Sequence, residues 1–409
     1  MEIINWLIVL LLSWNAVDIF LSLIVDNIGG YVFSFLVFLL SMLYVQRYGF
    51  MFVFDKKNLI ILCIYLIYIM FFNYHAYEKR MISDTIHLNY GLWFFLFRII
   101  EYVIMANYFA KRTINLDQIL HKVFYFLFFS SIIILFFLLE MYGIEFLVME
   151  ATIFFGNVSL ITLSYFIVFN ALIGIYLLSR RDLVYNKKTI AILVGISSLF
   201  VFFLGKRAAL LSLVVPILFL FFLHKFSKKR TIFYMTVFYL SYYFIIDNIE
   251  VLFDFVTMFS NRLSEQLKLF YYYGDTNGRD FLWESAIEQY NKSPIFGYYP
   301  RLIDIESTSF FYGVHPHSYW LESLMTMGLV GSIPFFGFIC FLIIKKVFHA
   351  IISECTYRFW ALYLISEIVH GTFSSPLSSS SIWLATFIMA GYTCVHKKKY
   401  NETQFFRCK

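Results

Sequence analysis

Charge is what this chain has least of. Asp, Glu, Lys and Arg make up only 14% of its 409 residues, against 61% hydrophobic and 22% aromatic. A chain so poor in charge and so rich in apolar side chains is not disordered. Its net charge of +6 is spread among short segments rather than gathered in a stripe, which excludes a nucleic-acid binder. Paired cysteines are lacking too: Cys63, Cys340, Cys355, Cys394 and Cys408 include no CxxC spacing and no His-rich neighbour. Neither a zinc site nor a disulfide scaffold is expected. The N-terminus, MEIINWLIVLLLSWNAV, lacks the basic start and small-residue cleavage site of a removable signal peptide, so it reads as a first helix. No internal repeat is visible.

What the chain has instead is a series of long apolar runs, which place it in a membrane. The expected class is all-α and polytopic, with about twelve transmembrane helices, since a span needs roughly 20 apolar residues. The spans fall near 3 to 25, 29 to 45, 59 to 72, 91 to 110, 123 to 139, 153 to 178, 189 to 204, 208 to 224, 231 to 246, 319 to 344, 357 to 370 and 381 to 395. Lys and Arg collect in alternate connections: Arg47, Lys56 and Lys57; Lys111, Arg112 and Lys122; Arg180, Arg181, Lys187 and Lys188; Lys225, Lys228, Lys229 and Arg230; Lys345, Lys346 and Arg358; and the tail from Lys397 to Lys409. Because basic residues accumulate on the cytoplasmic side, both termini are expected there. Three regions follow: 1–246 with nine helices, a large outer loop at 247–318, and 319–409 with three helices and a cytoplasmic tail.

The outer loop is the one long excursion from the bilayer. DFVTMFSNRLSEQLKLFYYY and RDFLWESAIEQY both show helical apolar spacing, so two amphipathic helices are expected, the second ended by the turn NKSPIFGYYP. Three constellations there and beside it could carry chemistry. Gly205-Lys206-Arg207 lies on the outer side, where the charge rule disfavours basic residues. It is either a snorkelling pair at a tight hairpin or an anion site. Arg279 opens a loop helix that also carries Trp283, and it is either a solvated arginine paired with Asp280 or Glu284, or a bidentate phosphate fork. Together, Arg207 and Arg279 suggest a diphosphate. His315-Pro316-His317 precedes the span that begins near Trp320 and Glu322; a histidine there could accept a proton, bind phosphate when charged, or be a plain interfacial residue. No carboxylate or cysteine set stands at ligand spacing, so no metal is expected.

Tyr271, Tyr272, Tyr273, Tyr298, Tyr299, Phe310, Phe311 and Tyr312 crowd the same loop, as sugar-stacking faces or as an ordinary interfacial aromatic belt. Inside the spans, Arg98 with Glu101 and Glu367 with His370 are three-residue pairs, either proton relays or local ion pairs, and Asp18 is equally ambiguous.

The order G-R-D-F-L-W-E-S-A-I-E-Q-Y-N-K-S-P-I-F-G, then H-P-H-S-Y-W-L-E-S-L-M-T-M-G-L-V-G-S-I-P-F-F, from Gly278 to Phe336, resembles the signature of the O-antigen polymerase and ligase superfamily. Gly205-Lys206-Arg207-Ala208 is similar to that family's earlier Ser-Arg-Gly segment, with Lys206 in place of the Ser and Ala208 in place of the Gly. Ser318 stands where an Asn commonly follows the second His. The resemblance implies a fold like the membrane glycosyltransferase C class and a glycosyltransfer at the outer face of the bacterial inner membrane. The substrate would be a glycan carried on undecaprenyl diphosphate, with no cofactor and no metal. It gives His317, His315 and Arg279 catalytic roles, and substrate contacts to Arg207, Lys206, Arg279, Trp283, Tyr298, Tyr299 and Glu322. Membrane lipids, a chain-length regulator and a flippase are the implied partners. His-Pro-His, Leu-Glu and Gly-Leu-Val-Gly look more like a polymerase than a ligase acting on lipid A core. A lipid-glycan transporter would share the spans, but the missing repeat speaks against it, and a scaffold would not explain the cationic cluster.

Overall fold

The computed structural model describes residues 2–22, 29–48, 97, 100–109, 116–143, 153–155, 158–180, 185–204, 206–223, 236, 248–258, 261–273, 279–297, 317–353, 355, 357–373 and 380–391. Among these the chain is α-helical, apart from one antiparallel pair of very short strands, β1 Ile153–Phe155 and β2 Val158–Ser159. The span expected near 59 to 72, and all of the one near 231 to 246 except residue 236, lie outside the described residues.

The bundle is built from α1 (Glu2–Leu12), α2 (Trp14–Ser22), α3 (Gly29–Tyr48), the helical stretch 100–109, α4 (Leu116–Tyr142), α5 (Leu160–Ser179), α6 (Lys187–Phe203) and α7 (Arg207–Leu223). After the loop helices come α11 (Tyr319–Leu342), α12 (Arg358–Phe373) and α13 (Ser380–Gly391). The loop itself supplies α8 (Ile249–Thr257), α9 (Asn261–Tyr273) and α10 (Arg279–Lys292). Among the described residues, two helices are long and apolar enough to cross a membrane, Leu116–Met141 and Tyr319–Ile352, and there are shorter apolar helices as well. Their outward faces carry large bare hydrocarbons: Phe136 is 68% exposed and Ile333 61%. A surface of that kind suits lipid and would aggregate in water. The chain is a membrane protein.

Several expectations shift in detail. The first span is two helices joined at Ser13, where Ala16 donates to the Ser13 carbonyl at 3.0 Å in a tightened turn. The span expected from residue 153 begins instead at Leu160, because the short strand pair occupies the preceding residues. The first loop helix is divided in two, so the loop carries three described helices rather than two. α11 does not stop near residue 344, but runs through a π-turn at Ile343–Val347 into Phe348–Ile352.

α12 is the central element, packing on α5, α7, α11 and α13. Its first ten residues are all buried, including Arg358 at 0% exposed. A buried guanidinium is costly unless it is hydrogen-bonded. Arg358 Nε donates to the Ile351 carbonyl at 3.0 Å, and Nη1 donates to both the carbonyl and the hydroxyl of Ser179 at 3.2 Å. Beside it, Tyr176 donates to Asp117, and Asp117 pairs with Arg180 at 3.4 Å. The basic residues at 180 and 358, expected merely to mark a cytoplasmic surface, therefore clamp α4, α5 and α12 together at one end. At the other end of the same two helices, the His370 ring of α12 stacks on Tyr165 of α5. These contacts make α5 and α12 antiparallel and put residues 165 and 370 at the end opposite the clamp. Arg358→Ala should lose about 1–3 kcal/mol through the carbonyls left unpaired; thermal denaturation of the solubilised protein measures it.

Candidate functional site

The site is assembled by a junction between the loop and α11. Gly328 has φ 58 and ψ −162, which breaks the helix in mid-course. A break of this kind would leave the following amides without their usual carbonyl partners, a severe cost within a bilayer. The loop turn after α10 supplies replacements: Leu329 N donates to Pro294 O at 2.9 Å, and Val330 N donates to Ile295 O at 3.0 Å. The turn closes with Gly297 at φ +85, whose amide donates to Ser293 O. A Cβ on Gly297 would stand 2.2 Å from Thr326 O, and one on Gly328 would stand 2.4 Å from Gly297 N. Only glycine fits either place, for both space and backbone angle. The hydroxyls of Ser323 and Ser332 meet across the break at 2.8 Å.

This junction sets the register of α10. Leu282, Ala286, Leu321 and Met325 form one apolar cluster, so α10 lies parallel to α11. Arg279, one turn before Leu282, is thereby level with the start of α11, where His317 and Ser318 stand. His317 has φ 51, an uncommon angle for a non-glycine residue, and it aims the chain into the helix. Ser318 is the N-cap, and Glu322 in the first turn is fully buried near the positive helix end.

α12 closes the other side. Trp320 Nε1 donates to Thr372 Oγ1 at 2.8 Å, and the Tyr319 ring lies so tightly on Gly371 that a Cβ there would come within 1.8 Å of it. One residue away, His370 stacks on Tyr165 with centroids 3.3 Å apart, and its Nδ1 lies 3.6 Å from Glu367 Oε2. Partial burial pulls the Arg279 guanidinium below its ordinary range, and the Tyr165 phenol opposes that pull. The group stays cationic.

Lys206 and Arg207, both half-buried, open α7, whose other end reaches the clamp side through Phe219 stacked on Phe348. They therefore stand at the Arg279 end of the bundle. Trp283 is half-buried on α10. His315, Tyr298 and Tyr299 lie outside the described residues, as do Tyr312, Phe310, Phe311 and Arg98. Tyr271 and Tyr272 belong to the α8 and α9 pair, packing on Phe253. Tyr272 also donates to Glu250, a bond that lifts its phenol to about 12. Glu101 is buried at 1% exposed, and Asp18 is half-buried. Tyr165, Tyr319 and Thr372 carried no signal in the sequence: each is a polar side chain within an apolar run, meaningful only through its neighbour.

Residues 192–336 match the family model described as O-antigen ligase. Over that stretch the chain is similar to the O-antigen polymerase and ligase superfamily. The matched stretch is about a third of the chain, and it takes in α7, the loop and the start of α11 with both glycines of the junction. No curated protein and no solved structure matches the chain. Members of this superfamily are glycosyltransferase-like membrane enzymes. Gly297→Ala and Gly328→Ala should each cost at least about 1–3 kcal/mol from the angle alone, and should free the loop, read as faster protease cleavage between α10 and α11.

Proposed function

We propose that the protein is a surface-polysaccharide polymerase. It transfers a glycan from undecaprenyl diphosphate to the terminal hydroxyl of another lipid-linked repeat unit, at the outer face of the inner membrane. What supports this reading is the packing of α10 along α11, whose register sets Arg279 toward the end of α11 that His317 precedes, with Arg207 opening α7 toward the same end of the bundle. The superfamily match supports the reaction class.

In the proposed reaction the acceptor hydroxyl oxygen attacks C1 of the donor sugar. The C1–O bond to phosphate breaks and undecaprenyl diphosphate leaves with the electron pair. Its negative charge grows as the bond lengthens, and Arg207 and Arg279, with Lys206 beside them, stabilise that charge more in the transition state than in the ground state. Arginine forks suit two phosphate oxygens at once. His317 takes the hydroxyl proton, with His315 the second candidate. Trp283, Tyr298 and Tyr299 offer faces to the sugars, and Glu322, buried at the start of α11, is a binding candidate acting from beneath His317. The diphosphate is itself an activated leaving group, so the residues named account for the transfer. A chain-length regulator and a flippase are the expected companions, with both termini in the cytoplasm.

The name of the matched family favours a second reading, transfer of the finished glycan to lipid A core. One gel separates the two. A strain lacking the gene should show a single repeat unit on core, restored to a ladder by the wild type. Bare core with polymer held on undecaprenyl diphosphate would mean a ligase. Arg279→Ala should fail to restore the ladder while accumulating normally in the membrane, and a full ladder from it would remove Arg279 from the mechanism.

A further inference from the structure

Gly328 folds α11 back on itself. At about 1.5 Å per residue, Trp320 and Phe336 of a straight helix would stand about 24 Å apart. Their rings meet instead, with centroids 4.7 Å apart. The same fold-back brings the hydroxyls of Ser323 and Ser332 to 2.8 Å. α11 therefore has two arms, a short one ending at Met327 and a long one that begins at Leu329 and continues through the π-turn to Ile352. The long arm alone rises about 35 Å, enough to cross hydrocarbon about 30 Å thick. Gly328 thus stands at one end of a span, and Lys345 lies toward the other.

The loop turn sits on the Gly328 end. Pro294 O and Ile295 O accept from the first two amides of the long arm, Leu329 N and Val330 N. Backbone bonds thus hold Ile295 and Phe296 against the arm, while these residues stay 56% and 65% exposed. Further along the arm, Val330, Ile333, Phe341 and Ile344 are exposed at helical spacing, the stripe of bare hydrocarbon that suits lipid. The tip and the stripe meet at the bond from Val330 to Ile295. The chain before the tip is of a different character. Along α10, exposed Asp280, Glu284 and Glu288 break up any apolar face, whereas beyond Lys292 the exposed residues up to Gly297 are Pro294, Ile295 and Phe296.

We propose that the loop tip Ile295–Phe296 inserts among the acyl chains of the outer leaflet, as the continuation of the lipid-facing stripe of α11. From Ile344 to Val330 the stripe is about 21 Å long, and the tip extends it toward the full thickness of the hydrocarbon. Its far end adjoins Lys345, whose amine can reach headgroup phosphates and whose charge marks the cytoplasmic side. A strip of that length and uniform composition matches a bilayer rather than a patch on a partner protein. The loop is then fixed to the membrane as well as to α11, and this anchoring does not depend on the reaction proposed above.

The test is the environment of a nitroxide label at position 296. The full-length protein, with its five native cysteines replaced by serine, carries Phe296→Cys, Ile333→Cys or Glu288→Cys, each labelled in turn. It is placed in nanodiscs of phosphatidylethanolamine and phosphatidylglycerol, without any prenyl lipid. Relaxation by oxygen, which concentrates in hydrocarbon, is compared with relaxation by a water-soluble nickel chelate. The ratio at 296 should shift from the aqueous value read at 288 to the lipid value read at 333. A ratio at 296 equal to that at 288 would overturn the proposal, because the tip would then stand in water. Protection from both reagents would overturn it too, since protein would be covering the tip. A lipid value that appears only after undecaprenyl diphosphate is added would assign the surface to the prenyl chain and also overturn it. If Phe296→Cys fails to accumulate, Ile295→Cys carries the label with the same expectations.

Discussion

Two amides within a membrane helix govern the architecture of this protein. Leu329 and Val330 follow the break at Gly328, and both donate to carbonyls of the loop turn at Pro294 and Ile295. Hydrocarbon offers no other partner to an orphaned amide, so the loop is required by the helix as much as the helix is by the loop. The contact works at backbone distance, which explains why glycines stand on both sides of it. Through it α10 is tied to the bundle and acquires a fixed register, with Arg279 set toward the N-terminal end of α11.

Catalysis in this account is chiefly electrostatic, and electrostatic catalysis depends on groups that are in place before the reaction. The candidate groups are anchored to different helices: Arg207 opens α7, Arg279 opens α10 and His317 precedes α11. α12 ties the arrangement together, and its opposite end is held by Arg358 and Ser179. Side-chain contacts thus tie α5 to α12 at both ends of the pair.

Much of this was legible in the sequence, for identifiable reasons. Apolar runs bounded by charge marked the helices, and the loop motif from Arg279 to Gly297 announced a helix ended by a turn. Gly328 and Gly297 were visible as parts of one signature, but their mutual contact was not, because nothing local links residues so far apart in sequence. Tyr165 and His370 are separated by more than 200 residues, and a lone tyrosine in an apolar run looks like any other. Arg358 resembled a surface charge because its buried acceptors are carbonyls, which leave no trace in composition. The break at Ser13 and the short strands before Leu160 likewise depend on tertiary context.

The most direct measurement is reconstitution. The purified protein, placed in liposomes with lipid-linked repeat units isolated from a strain lacking the gene, should lengthen the glycan and release one undecaprenyl diphosphate for every linkage made. Longer glycan without stoichiometric release, or release without any longer glycan, would contradict the account.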